Sequence, residues 1–274
     1  VQKHFAVIGN PIAHSLSPVM HRAGYHAVGL DAEYQKFEVP PEGLGDAVRG
    51  LRGLGFTGWN VTVPYKERII PFLDELTIEA QRAGAVNTVK VCEGRLLGHN
   101  TDGAGFVRSL RDYIDLNPGM NVVILGAGGA ARGIAMALAP FGIQLHILNR
   151  TLERAKGLVQ NIRELGGQAE FGEWGPGDWL TQADCVIQTT SIGLRNEPYP
   201  FSLQEIAPHT LVVDIIFNPW ETSFLREAKD KGCRTINGVE MLLYQGVLAW
   251  EFWLGGQAPV QAMKKALYEA LGQV

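Results

Sequence analysis

The chain has 274 residues, 46% of them hydrophobic, with 24 basic side chains against 28 acidic ones and a formal net charge of -4. This is an ordinary globular composition, long enough for about two domains of roughly 150 residues each. A mildly acidic balance without a basic block argues against nucleic acid as a partner, since that affinity comes from clustered Lys and Arg, and leaves a small molecule as the expected one. No run of roughly 18 apolar residues offers a membrane span, and the first 14 residues carry too short an apolar stretch for a signal peptide. Cys92, Cys185 and Cys233 are odd in number and far apart, which speaks against a disulfide framework or a zinc cluster and for a reducing cytoplasm.

In chain order, strand-length apolar runs alternate with helical patterns: Phe5 to Ile8, a helix from Pro18, Tyr34 to Val39, a helix over Leu44 to Leu54, Trp59 to Val63, and a helix from Lys66. Such alternation predicts an α/β fold with a largely parallel sheet. A turn at Asn117-Pro118-Gly119 precedes the buried-type strand Asn121 to Leu125 and a glycine cluster, which opens a second domain. It continues through strands at Gln144 to Leu148, Asp184 to Gln188 and Leu211 to Ile216. After Gly238 the pattern is helical, over Met241 to Leu254 and Pro259 to Leu271. Helices without strands of their own must pack on an existing sheet, and the first domain is the expected one. Trp250, Phe252 and Trp253 are read as helix packing.

Gly126-Ala127-Gly128-Gly129-Ala130-Ala131 follows a strand and opens a helix. In this G-x-G-x-x-A pattern small residues tighten the turn and let the backbone and the helix N-terminus approach a pyrophosphate. At the end of the next strand, about 23 residues on, NAD enzymes carry an acidic residue for the ribose 2'-hydroxyl. Here stand Asn149-Arg150-Thr151, with Arg154 one turn further. Guanidinium groups bind phosphate oxygens through paired, charge-assisted hydrogen bonds, so NADP is favoured over NAD. The structural account of Thr151 is an N-cap.

In the first domain, His14-Ser15-Leu16-Ser17-Pro18 reads as a helix start with Ser17 as cap. In an extended segment the hydroxyls of Ser15 and Ser17 would also face the same way and jointly hold a carboxylate. Period two places Asn60 and Thr62 on one face of the strand ending at Pro64, with Lys66 near the start of the next helix. Asn87 opens another strand, and Asp102 precedes a helix that it is placed to cap. His14, His21 and His26 recur at spacings that make no metal motif, and no metal is expected.

Together, H-S-L-S-P, N-V-T-V-P-Y-K, G-A-V-N-T, G-x-N-T-D-G, G-A-G-G-A-A, N-R-T-x-x-R and G-x-x-M-L-x-x-Q-G run in order from residue 4 to about 271. In this the chain resembles the shikimate dehydrogenases, NADPH-dependent enzymes of aromatic amino acid biosynthesis. The resemblance implies a two-domain fold: an α/β substrate domain over residues 1–103 and 239–274, including the returning C-terminal helices, and a Rossmann NADP-binding domain over 104–238. It implies that Ser15 and Ser17 bind the substrate carboxylate, and that Asn60, Thr62, Lys66, Asn87, Asp102 and Gln245 contact ring hydroxyls. Lys66 and Asp102 would be the catalytic pair. Thr189, Ile215, Gly238 and Met241 would join Gly126 to Ala130 and the Asn149–Arg154 group around the cofactor.

Phe217 stands where most members have a tyrosine that reaches the substrate carboxylate, Gln188 replaces a frequent asparagine, and Leu194 a frequent methionine. The implied reaction is reversible reduction of 3-dehydroshikimate to shikimate by a monomer or homodimer. A quinate/shikimate dehydrogenase of relaxed substrate or cofactor choice, and a non-catalytic NADP-binding sensor, stay open as alternatives.

Overall fold

A computed structural model describes residues 2–273 of the chain. It divides into two compact units, one formed by residues up to Gly105 together with those from Leu242 onward, the other by Phe106–Met241.

The first unit begins with β1 (Lys3–Gly9), α1 (Ser17–Ala27), β2 (Ala32–Glu38), α2 (Leu44–Gly53) and β3 (Gly58–Val61). It continues with β4 (Glu75–Leu76), α3 (Ile78–Ala83), β5 (Thr88–Cys92), β6 (Arg95–His99) and α4 (Asp102–Leu110). The sheet order is β2-β1-β3-β5-β6-β4. β1 is parallel to both of its neighbours, but β5 runs antiparallel to β3 and β6, so this sheet is mixed. β1 is an inner strand whose successive residues Phe5 to Ile8 are all buried, so both of its faces are covered and it reads as an unbroken apolar run. Each such side chain contributes about 1.5–3 kcal/mol on burial.

No helix starts at Lys66. Residues 63–69 form turns, followed by a short 3-10 turn at Ile70–Phe72. The Lys66 carbonyl accepts from the Val86 N–H at 2.7 Å, and this lateral bond takes the place of a helical one.

In the second unit, β7 (Asn121–Leu125), α5 (Gly129–Leu138), β8 (Gln144–Leu148), α6 (Leu152–Glu164) and β9 (Gln168–Gly172) are followed by α7 (Trp179–Gln182), β10 (Cys185–Gln188), β11 (Leu211–Asp214), α8 (Ser223–Asp230) and β12 (Arg234–Ile236). All strand pairs are parallel, in the order β12-β11-β10-β7-β8-β9. That is the doubly wound dinucleotide-binding topology, whose order reverses between β7 and β10. β11 stops at Asp214, two residues short of the expected Ile216, because the Asp214 carboxylate takes the Ile216 N–H at 3.0 Å and turns the chain out of the ladder.

The last helices are α9 (Val239–Leu254) and α10 (Val260–Ala270). Within the first unit α10 packs along α1. Trp253 lies over Phe5 with ring centroids 4.8 Å apart, and Trp250 over Tyr25 at 5.1 Å, so these aromatics serve packing. Among the described residues no helix is long and apolar enough to cross a membrane, and no His/Cys/Asp/Glu group is placed to hold a metal.

Candidate active site

Asp102 is the first residue of α4 and is almost fully buried. Asn100 holds that helix start, donating its amide to the Ala85 carbonyl at 2.9 Å and accepting the Asp102 N–H at 3.1 Å. The carboxylate is divided between two partners. Lys66 Nζ donates to Oδ2 at 2.7 Å, and Asn87 Nδ2 donates to Oδ1 at 2.9 Å. The lysine side chain is 14% exposed and the aspartate 4%, so the ion pair is shielded while part of the lysine stays accessible. A fixed carboxylate behind a partly accessible lysine can orient a proton donor toward a bound oxygen.

Asn87 and Asn60 are buried at 2% and 5% exposure. Asn87 Nδ2 also donates to Thr101 Oγ1 at 2.8 Å, while its Oδ1 accepts from the Thr101 N–H at 2.8 Å and Thr88 Oγ1 at 2.9 Å. Asn60 Nδ2 donates to the Asn87 carbonyl at 3.1 Å and Thr88 Oγ1 at 3.0 Å, and its Oδ1 accepts from the Tyr34 hydroxyl at 2.7 Å. Both amides therefore have every N–H engaged by protein; Asn87 reaches the Asp102 carboxylate directly, and Asn60 is linked to it only through Asn87.

Thr62, just beyond β3, is half-buried; its N–H donates to the Ile8 carbonyl at 2.9 Å. Gln245 lies on α9, where its amide donates to the Leu242 carbonyl at 2.8 Å. A methyl group on Gly105 would come within 2.6 Å of the Gln245 backbone nitrogen, so α9 meets α4 less than one turn beyond Asp102.

The two serines depart from the expected geometry. Leu16 between them is helical rather than extended, and it, not Ser17, occupies the cap position of α1, with no side-chain cap bond. A helical Leu16 turns the chain so that Ser15 Oγ accepts the Ser17 N–H at 3.4 Å. Ser15 is partly exposed and Ser17 buried, beside the Tyr34 hydroxyl. Beneath Tyr34 lies His21, its ring parallel to the phenol at 4.5 Å and neither nitrogen hydrogen-bonded. Burial pushes the His21 pKa down to about 3 and that of Tyr34 well up, so both rings are neutral.

In the second unit the glycine turn lies between β7 and α5. Gly126 has φ 121°, and a Cβ there would come within 2.4 Å of Thr189 Oγ1, so the position requires glycine. The Thr189 hydroxyl itself is spent on the Leu125 carbonyl at 2.8 Å, which pins this turn to the end of β10. Gly128 caps α5 without a side-chain bond and has open space where a Cβ would sit. Ala127 is buried, whereas Gly129 and Ala130 are half-exposed on the first turn. The helix start thus presents its N–H groups to an incoming anion.

Beyond β8, Asn149 donates to the Thr151 carbonyl at 2.8 Å, while Arg150 and Arg154 are exposed. Thr151 stands at the cap position of α6 but makes no cap bond, so capping does not consume its hydroxyl. Gly238 follows β12, and a Cβ there would lie 1.9 Å from the Ile215 carbonyl oxygen, which leaves room only for glycine. Met241 packs into the core of this unit, and Phe217 is half-buried in the segment after β11.

Tyr34, Thr88, Asn100 and Thr101 were not read from sequence as parts of the site. Asn100 and Thr101 lie inside the G-x-N-T-D-G motif, which was the available signal; nothing local marks Tyr34.

Known proteins share the sequence and the fold of this chain. Residues 7–89 match the shikimate dehydrogenase substrate binding domain, residues 113–198 the shikimate / quinate 5-dehydrogenase family, and residues 238–268 the shikimate 5'-dehydrogenase C-terminal domain. A shikimate dehydrogenase (NADP(+)) of Desulfitobacterium hafniense (strain Y51) is 70% identical over 269 residues, 98% of each chain. The crystal structure of shikimate dehydrogenase from Aquifex aeolicus is similar at TM-score 0.91 and 39% identity, over 97% of either chain. Shikimate 5-dehydrogenase from Thermus thermophilus, solved with NADP(H) and shikimate, is similar at TM-score 0.87 and 38% identity, over 98% of this chain and 100% of that one. With its motifs in order and relatives matched along nearly their whole length, the chain belongs to the shikimate dehydrogenase family.

Proposed function

We propose that this chain catalyses the reversible, NADPH-dependent reduction of 3-dehydroshikimate to shikimate, with substrate held by the first unit and cofactor by the second. The observation that carries the chemistry is the Lys66–Asp102 pair at 2.7 Å, fixed from behind by Asn87. The second unit fits the cofactor on its own geometry: the uncapped start of α5 suits a pyrophosphate, and exposed Arg150 and Arg154 beside Thr151, whose hydroxyl makes no cap bond, suit a 2'-phosphate. When bound, the cofactor supplies the hydride.

As the substrate carbonyl is reduced, negative charge grows on its oxygen. The Lys66 ammonium stabilises that charge and delivers the proton, and Asp102 keeps the ammonium in place. In the reverse direction Lys66 receives the hydroxyl proton. Ser15, Ser17, Thr62 and Gln245 are proposed to hold the carboxylate and ring hydroxyls; Asn60 and Asn87 act one step back, as the frame. The free thiols of Cys92, Cys185 and Cys233 support a reducing cytoplasm as the compartment.

Mixing the protein with shikimate and NADP should raise absorbance at the reduced-nicotinamide band. Parallel mixtures with quinate or NAD should respond more weakly. Cofactor binding without any absorbance change would replace this reading with a non-catalytic NADP-binding protein.

A further inference from the structure

A buried polar cluster lies at the carboxyl ends of β10 and β11, outside the chemistry described above. Asp214, the last residue of β11, is fully buried. Its Oδ1 accepts from the Ile216 N–H at 3.0 Å and from Gln188 Nε2 at 3.3 Å, and its Oδ2 accepts from Thr222 Oγ1 at 2.7 Å. Gln188 ends β10 and is equally buried; its Nε2 also donates to the carbonyls of Thr190 at 3.3 Å and Ile192 at 3.0 Å. Thr222 caps α8 by accepting the Leu225 N–H at 3.3 Å. One carboxylate thus ties together the turn after β10, the segment after β11 and the start of α8.

Ligands of open parallel sheets bind outside the carboxyl ends of the strands, where these segments run. The same segments carry Thr189, which pins the Gly126 turn, and Ile215, whose carbonyl abuts Gly238.

The donors around Asp214 are all neutral, and the titratable group facing it is Tyr199, whose phenol burial keeps protonated. Desolvation therefore outweighs the hydrogen bonds and pushes the Asp214 pKa up to about 7. With a folded pKa above the unfolded one, the folded state holds the extra proton, so ionisation lowers stability as pH rises toward 7. The carboxylate thus costs stability when ionised while it holds three segments in place.

We propose that Asp214 is a positioning residue for the dinucleotide, its carboxylate setting the backbone of Thr189–Ile192 and Ile215–Ile216 for cofactor binding. This rests on the NADP reading above. The ionised carboxylate accepts from all three donors. A protonated one keeps the Ile216 and Gln188 donors on Oδ1 as a weaker, neutral acceptor, and from Oδ2 it must donate to Thr222 Oγ1 instead of accepting from it, so affinity is lower at low pH than at high pH.

The test is Asp214→Asn, which keeps the shape and removes the charge. NADP binding is titrated through quenching of protein fluorescence at about pH 6 and about pH 8.5, with thermal unfolding in the same buffers. The wild type should bind about fivefold tighter at the higher pH, the worth of one hydrogen bond. The variant should show at both pH values the weaker affinity, with a Tm at the higher pH equal to or above that of wild type. Titration of the ligand's own phosphate, near pH 6, is common to both proteins and cancels in their ratio.

An affinity ratio that does not change with pH overturns the inference, as does weaker binding accompanied by a lower Tm. Failure of the wild type to bind NADP at either pH overturns the cofactor assignment itself, a separate result. Should Asp214→Asn not fold, Thr222→Val withdraws the 2.7 Å donor and should move the midpoint of the pH dependence upward; an unmoved midpoint refutes the proposal.

Discussion

Asn87→Ala separates the two roles open to this residue, substrate contact or frame. The substitution deletes hydrogen bonds to Thr101 Oγ1, Asp102 Oδ1, the Thr101 N–H and Thr88 Oγ1, all between 2.8 and 2.9 Å. Thr101 is 1% exposed, so its N–H loses its acceptor without gaining water, which costs about 1–3 kcal/mol; the bond to the Asp102 carboxylate adds about 1.5–3 kcal/mol. Allowing for partial relaxation, the first unit should lose roughly 3–5 kcal/mol, a Tm drop of about 10 °C. Lys66 still holds one carboxylate oxygen, so kcat should fall about 10- to 100-fold, less than when a positioned acid–base group is removed outright. Thermal melts and steady-state kinetics on the same preparation measure both. An unchanged Tm with a raised KM for shikimate alone would refute the frame and restore a direct contact.

Lys66→Ala should lower kcat by about 10²- to 10⁴-fold, and Asp102→Asn should lower it too. The double variant should lose less than the product of the two, since groups acting as a unit are not additive; full additivity in steady-state assays would argue against a pair. Lys66→Ala should also destabilise the first unit in thermal melts, because it leaves a carboxylate of 4% exposure without its cation. Arg150→Ala should weaken NADPH binding roughly 10- to 150-fold, the worth of about 1.5–3 kcal/mol for a charge-assisted hydrogen bond, while leaving NADH nearly unaffected; equal losses would make the arginine structural. His21, with its folded pKa pushed down to about 3, must be buried neutral. Stability should therefore fall as pH drops below the unfolded value near 6.5, by at most about 1.4 kcal/mol per unit. His21→Phe should flatten that acid limb in denaturation curves recorded across the range, and a limb of unchanged slope would assign it to other groups.

What was legible in the sequence was whatever local chemistry writes in periodic or punctuated form. The apolar runs at Phe5 to Ile8 and Asn121 to Leu125, and the glycine turn after the second, mark strands and their exits without reference to anything distant. The partners of a buried amide are written nowhere near it. Asn60 meets Tyr34 and Thr88, and Asn87 meets Thr101 and Asp102, through strand pairing that only the fold supplies. Alternation pairs Asn60 with Thr62, but β3 ends at Val61, before Thr62, and Tyr34 and Thr88 take the hydrogen bonds of Asn60. The missing helix at Lys66 has the same origin, since the lateral bond from Val86 depends on β5 lying alongside. The cap and the extended geometry expected at Ser17 and Ser15 fail for a local reason: Leu16 between them is helical, and its apolar side chain does not announce that the chain curls there.

Both units place their polar machinery where strands end, and the backbone explains why. Within a ladder each N–H and C=O is paired, so a buried side-chain amide or carboxylate has nothing to bond. One residue past the ladder these groups become available, and they must be satisfied if they are to stay buried. Asn87 takes the Thr101 N–H just ahead of β5, Gln188 takes carbonyls beyond β10, and Asp214 takes the Ile216 N–H beyond β11. In each case the side chain repairs a frayed backbone and, through its remaining atoms, fixes a second group. For Asn87 the second group is the Asp102 carboxylate; for Gln188 and Asp214 it is each other and the start of α8. A residue bound at both ends cannot be replaced by an apolar one of equal size without leaving two buried partners unmet. Conservative exchanges such as Asp214→Asn, which keep the backbone bond and alter only the second, are therefore the variants that can separate function from folding at these sites.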